Sequence, residues 1–107
     1  MDNRLKKRSD FDRVFKKGKK AYAPSLMFLY LKQKQLKIGY SVSKKNGGAV
    51  VRNRVKRLLR AVMREYVGQI TGDYYFVIVP KPATEYSYHR FKQDVETLLK
   101  KENLLND

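Results

Sequence analysis

At 107 residues the chain is sized for one domain, residues 1–107, and its hydrophobic share of 42%, with eight Tyr and five Phe, suffices to offset chain entropy. Lys and Arg number 25 against 10 Asp and Glu, a net charge of +15, so a compact fold repels itself unless a polyanion neutralises it, and the expected partner is nucleic acid. No apolar stretch reaches a spanning length, MDNRLKKRSDF lacks the apolar core of a secretory signal, and zero Cys excludes disulfides and thiolate metal sites; a cytoplasmic setting away from membranes is expected.

In chain order, Ser9 and Asp12 have the S-x-x-D form of a capping box, while Phe11, Val14 and Phe15 share a helical face. With Gly18 as a stop, this predicts a first helix over 10–17. AYAP suggests a brief edge strand halted by Pro24. LMFLYLK (26–32) and KIGYSVS (37–43) read as strands, the second alternating with Ile38, Tyr40 and Val42 on one face. The short polar KQKQ between them predicts an antiparallel hairpin. Asn46, Gly47 and Gly48 form a turn able to supply positive φ before a long helix over 50–67 that ends near Gly68. DYYFVIVP gives a buried strand at 74–79 closed by Pro80. Phe91, Val95, Leu98 and Leu99 form the apolar stripe of a terminal helix. Residues 1–6 and 103–107 are expected to fray.

The long helix carries the strongest signal. At 100° per residue from Val51, the apolar Val55, Leu58, Leu59, Val62 and Tyr66 fall within an arc of roughly 100°. Lys56, Arg60, Asn53, Arg64 and Arg57 occupy the opposite side, with Arg52 and Arg54 on the borders. A solvated helix face usually mixes signs to gain i,i+4 pairs, yet no acid occurs between Ala49 and Arg64. Guanidinium groups bind phosphate bidentately and stack on bases, so this ladder favours nucleic-acid contact over mere solubility.

At these residues the sequence resembles the protein component of bacterial ribonuclease P. The most specific part is YSVSKKNGGAVVRNRVKRLLRA, residues 40–61, with SKK, the Gly turn, AV, the RNR triplet and KR in the family's order and spacing. RSDFDRVFKKG (8–18) is similar to the family's first helix and VPKPA (79–83) to the junction before its last, so the resemblance covers nearly the whole chain. Gly48 departs from the pattern, standing where family members often carry Asn or another polar residue. The resemblance implies an α/β fold, an α+β sandwich of order αβββαβα, in which a four-stranded mixed sheet packs with three helices. It also implies a left-handed βαβ crossover, whereas composition alone favours the right-handed connection found in about 98% of cases.

The resemblance further implies a role as an accessory subunit with a catalytic RNA, assisting removal of the 5′ leader from precursor tRNA, with no additional protein partner required. Lys44, Lys45, Arg52, Asn53, Arg54, Lys56, Arg57 and Arg60 would contact the catalytic RNA. Phe11, Phe15 and Tyr30 match aromatic positions of a cleft that holds the single-stranded leader. A Phe pair at i,i+4 is otherwise usually core, while exposed aromatic faces stack on unpaired bases with little sequence preference. Lys16, Lys17, Lys19 and Lys20 serve either phosphate attraction or solubility.

No catalytic or metal-binding set is legible in the protein. His89 is the only His, and Asp10 and Asp12 suit the start of a helix better than a metal. The reading therefore assigns hydrolysis, with its Mg²⁺ ions, to the RNA. A ribosomal or other structural RNA-binding protein would share the charge but would not restore precursor cleavage. A stand-alone nuclease would cut without RNA, and a DNA-binding regulator would need a helix-turn-helix or dimer signature that is not visible.

Overall fold

The computed structural model describes residues 3–106. The elements are α1 (Arg8–Lys17), β1 (Lys19–Tyr22), β2 (Leu26–Lys32), β3 (Lys37–Tyr40), α2 (Ala49–Tyr66), β4 (Tyr74–Pro80) and α3 (Tyr88–Lys101). Three helices and a four-stranded mixed sheet thus follow the expected αβββαβα order.

The sheet order is β1-β2-β4-β3, which corrects the predicted hairpin. β2 pairs antiparallel with β1 and β4, and β3 pairs parallel with β4 across α2. β2 and β3 still run in opposite directions, but β4 lies between them. Adjacent strands sit about 4.8 Å apart, so a skipped position needs a link of roughly 10 Å, within reach of four residues. Local alternation fixes the face of a strand and leaves its neighbour open.

Alternation along β2 and β4 sends their side chains into two cores. On one face Leu26, Phe28, Tyr30, Phe76 and Ile78 pack with Val55, Leu59, Val62 and Met63 of α2 and Phe91, Val95, Leu98 and Leu99 of α3. On the other, Leu29 and Val77 pack with Leu5 and Val14, with Phe11 partly buried beside them. The Ser25 N–H and hydroxyl both donate to the Asp94 carboxylate, at 2.8 and 2.5 Å, tying α3 to the β1–β2 turn.

The first helix begins earlier than predicted. Lys7 occupies the N-cap without a side-chain bond, its carbonyl accepting from Asp10 and Phe11, which leaves Ser9 inside the first turn and removes the expected capping box. Gly18 does end it: its N–H donates to the Val14 carbonyl at 2.7 Å, and an added Cβ would lie 2.5 Å from that oxygen.

The described residues at both ends, 3–6 and 103–106, are more ordered than fraying predicts. The Leu5 N–H donates to the Ile38 carbonyl and the Ile38 N–H to the Asn3 carbonyl, so the N-terminal segment pairs with β3 and buries Leu5. Leu104 is also buried, and its carbonyl accepts from Thr71 while Leu105 bridges to Ile70. Residues 1, 2 and 107 of the predicted frayed ends lie outside the described residues. Among the described residues no helix is long and apolar enough to cross a membrane.

Candidate nucleic-acid interface

α2 is seated by Val55, Leu59, Val62, Met63 and Tyr66, all buried. The buried arc is therefore rotated by roughly 40° from the predicted one, toward Met63 and away from Val51, which is 40% exposed. This small rotation determines where the cations stand. Asn53, Arg54, Arg57, Arg60 and Arg64 are exposed, and Arg52 and Lys56 are half-buried at one border of the seat. The predicted single row is thus divided between an outward face and two margins.

At one margin Lys56 and Arg60 overhang a groove that also contains Phe11, Gly39 and Tyr40. Gly39 lets Phe11 pack this close to β3: a Cβ there would lie 2.4 Å from the Phe11 ring. Next to it, Tyr40, Arg60, Met63 and Arg64 line a second depression against the N-terminal segment. Burial pushes the Tyr40 phenol up to about 12, although the neighbouring Arg60 and Arg64 charges pull it down. The phenol therefore stays protonated at neutral pH, available as a hydrogen-bond donor between two cations.

At the other margin Val51 and Arg54 face the loop between β4 and α3, across from Thr84, Glu85 and Tyr86. A short 3₁₀ turn, Lys44–Asn46, leads into this region with Lys44 and Lys45 exposed. Gly47 then takes φ 130°, the positive value the Gly pair was predicted to supply, whereas Gly48 has φ −72° and caps α2 without a side chain. Nothing lies within 4 Å of a Cβ built on Gly48, so a polar side chain would fit here.

Asn46 holds the turn in place. Among the described residues it is the one buried polar side chain, 5% exposed. Its Oδ1 accepts from the Ser43 N–H at 3.1 Å, and its Nδ2 donates to the Pro80 carbonyl at 3.2 Å and to the Tyr86 hydroxyl at 3.3 Å. The Tyr86 hydroxyl donates to the Asn46 carbonyl at 3.0 Å and accepts from the Ala83 N–H at 3.2 Å. Arg52 adds a bond from Nη1 to the Gly47 carbonyl at 3.1 Å. The lysine-bearing turn is thus fastened to a loop forty residues away in sequence. Asn46 and Tyr86 escaped sequence reading, because nothing local links an Asn in a turn to a Tyr so distant.

Acids do not neutralise this surface. Glu65, the nearest in sequence, turns toward α3, where its carboxylate accepts from the Tyr88 hydroxyl and pairs with Lys92 at 3.4 Å. The Tyr88 hydrogen bond, then Lys92, hold that carboxyl below its usual range. Among the described residues, Lys44, Lys45, Arg54, Lys56, Arg57, Arg60 and Arg64 have no carboxylate ion-pair partner.

The three aromatic candidates are not brought together. Phe11 is half-buried against the α1-side core, and Phe15, one turn on, is 42% exposed. Tyr30 requires a correction. It points to the α2–α3 side of the sheet, is 9% exposed, and donates its hydroxyl to Glu102 Oε1 at 2.5 Å. Burial, then that carboxylate, push its phenol well above the ordinary value. Neighbouring residues on a strand face opposite ways, so Tyr30 is separated by the sheet from Phe11. Tyr22, 61% exposed, sits in register with Met27 and so on the α1 side, a candidate the sequence reading overlooked.

His89 is exposed, its ring edge-on to Tyr88 at 5.6 Å. Among the described residues no three His, Cys, Asp or Glu side chains converge.

The family model described as Ribonuclease P matches residues 1–103. The chain belongs to the ribonuclease P protein family. It is 42% identical over 106 residues to the ribonuclease P protein component of Bacillus velezensis, covering 95% of this chain and 90% of that one. With the Listeria innocua component it shares 40% over 101 residues, covering 91% and 85%. The ribonuclease P protein structure from Staphylococcus aureus superposes with a TM-score of 0.85 at 27% identity, covering 99% of this chain and 100% of that one. The Thermotoga maritima protein does so at 0.80 and 28%, covering 92% and 96%. The likeness to these structures therefore takes in the sheet and the helices on both sides of it, α2 included.

Proposed function

We propose that the protein is the RNA-binding subunit of a ribonuclease P ribonucleoprotein, acting in the removal of 5′ leaders from precursor tRNA. The observation that carries the reading is the groove where Phe11 and Tyr40 meet Lys56 and Arg60. Single-stranded RNA needs this combination, cations for the phosphates and aromatic faces for the bases, and stacking contributes about 1–3 kcal/mol per base with little sequence preference. Low sequence preference suits many different leaders. Phe15 extends the aromatic surface along α1, and Tyr30 has no part in it.

The outward cations of α2, with Lys44 and Lys45, form the catalytic-RNA contact. Rigid placement matters here: the turn is braced through Asn46 and Tyr86, so little ordering is left to occur on binding. Arg52 acts partly within the protein, through its bond to Gly47. Lys56 and Arg60, expected on the catalytic-RNA surface, stand where they can serve the leader as well.

The protein supplies substrate affinity and charge relief. As the family resemblance implies, the Mg²⁺ ions and the phosphodiester hydrolysis belong in this reading to the RNA partner. Reduced repulsion between catalytic RNA and precursor would strengthen ion binding at the scissile phosphate.

Cleavage of precursor tRNA in Mg²⁺, with protein alone, a bacterial ribonuclease P RNA alone, and both together, tests this directly. Activity should need the RNA and rise with the protein. Cleavage by purified protein alone would overturn the assignment. Phe15→Ala should weaken precursor binding by the holoenzyme while leaving mature tRNA binding nearly unchanged; equal losses would sink leader contact. Arg54→Gln with Arg57→Gln should lower assembly affinity and reduce the salt slope by about one per lost phosphate contact.

A further inference from the structure

The groove between the first turns of α2 and the β4–α3 loop has an unusual composition for so basic a surface. Val51, Tyr86, Arg54 and Glu85 all line it, so one cleft brings together an apolar side chain, an aromatic one, a cation and a carboxylate. These opposite charges share a groove without pairing: among the described residues neither side chain has an ion-pair or hydrogen-bond partner. The volume, about 450 Å³, is within the range of pockets that take small ligands, about 300–1,000 Å³.

Asn46 and Tyr86, both in its lining, join the turn before α2 to the β4–α3 loop through their shared hydrogen bonds, and Gly47, at φ 130°, lines it as well. A Cβ on Gly47 would come 3.0 Å from Val51 Cγ1 and crowd that side chain. Lys44, Lys45 and Arg52 lie directly before and within the same helix start, so an RNA strand drawn to them passes this opening.

A free carboxylate beside phosphate-binding cations opposes the binding of a polyanion unless it meets a hydrogen-bond donor. We propose that this groove is a seat for a single unpaired nucleotide, guanosine by preference, with Glu85 as its base-reading residue. Arg54 holds the phosphate, Val51 and Tyr86 contact the base, and the Glu85 carboxylate accepts from its edge. Guanine presents adjacent N1–H and N2–H donors that a carboxylate can take together. Cytosine, adenine and uracil each place an acceptor beside their donor, and an acidic oxygen repels it.

The proposal rests on the RNA-binding reading but needs no catalytic RNA for its test. The probes are a short oligouridine RNA and the same RNA with its central uridine replaced by guanosine, titrated by fluorescence anisotropy. The guanosine RNA should bind about fivefold more tightly or better, the lower end of discrimination by a paired base contact. Glu85→Gln should abolish that preference while leaving oligouridine binding unchanged or tighter, since a repelling charge is gone. Arg54→Gln should weaken both RNAs alike. Equal affinity of the unmodified protein for the two RNAs, or a preference that survives Glu85→Gln, would overturn the guanosine seat. Failure to bind either RNA would remove the RNA-binding reading itself.

Discussion

The two faces of the sheet are covered very differently. On one, two helices close over an aromatic cluster in which Phe28 and Phe76 meet edge to face at 5.5 Å and Tyr30 stacks on Phe76 at 5.9 Å. On the other, one ten-residue helix covers Leu29 and Val77, leaving Met27, Leu31, Tyr75 and Val79 half-buried and Phe15 and Tyr22 exposed. An apolar surface left partly open on a chain this charged is expensive if it has no use. Burial is concentrated on the α2–α3 face, while the α1 face leaves aromatic surface open, which the proposed leader contact would use.

Mutations that separate the faces should show this division. Phe76→Ala, in the closed core, should lose about 3–5 kcal/mol, read by urea denaturation, and abolish RNA binding only by unfolding the chain. Gly39→Ala should lose about 1–3 kcal/mol, because its Cβ displaces the Phe11 ring and loosens the α1 seat. RNA affinity should fall along with it; a variant as stable and as tight-binding as the parent would contradict the close approach.

Tyr30→Phe tests the inward placement of that ring. It should lose about 1 kcal/mol by removing the hydroxyl bonded to Glu102, with leader affinity unaltered; a selective loss of leader binding would restore Tyr30 to the RNA surface. The same bond, followed by Lys19, holds the Glu102 carboxyl below its ordinary range. Its stabilisation is complete above the unfolded-state value and disappears as pH falls through the depressed folded value. Acid titration of Tyr30→Phe should therefore show a shallower loss of stability in that window than the parent does. Phe15→Ala is the smallest in stability, within about 0.5 kcal/mol, and yet should reduce affinity for single-stranded RNA several-fold.

The contrast also explains what was legible beforehand. The sequence locates α2 to within a residue and β2 to the residue, because a long amphipathic run and a dense aromatic stretch are local signals. The exposed cations of α2 followed from its angular pattern, with only a modest rotation left to tertiary packing. The hairpin failed since KQKQ reports a reversal of direction and carries no trace of β4, which arrives more than thirty residues later. Ser9 failed because Leu5 anchors the segment before it and lets the helix begin early. Tyr30, matched to the cleft by resemblance alone, turns toward α2 and α3 because alternation gives the α1 side to its neighbours Leu29 and Leu31, a choice no local pattern reveals.

Open sheet edges invite other chains, and both edges here are guarded. Asn3 and Leu5 lie along the outside of β3, occupying hydrogen-bonding positions that a foreign strand would otherwise seek. β1 is only four residues long and displays Lys19 and Lys20 to solvent. Newly made copies awaiting RNA are thereby discouraged from zipping together edge to edge, which makes these flanking residues a safeguard of solubility.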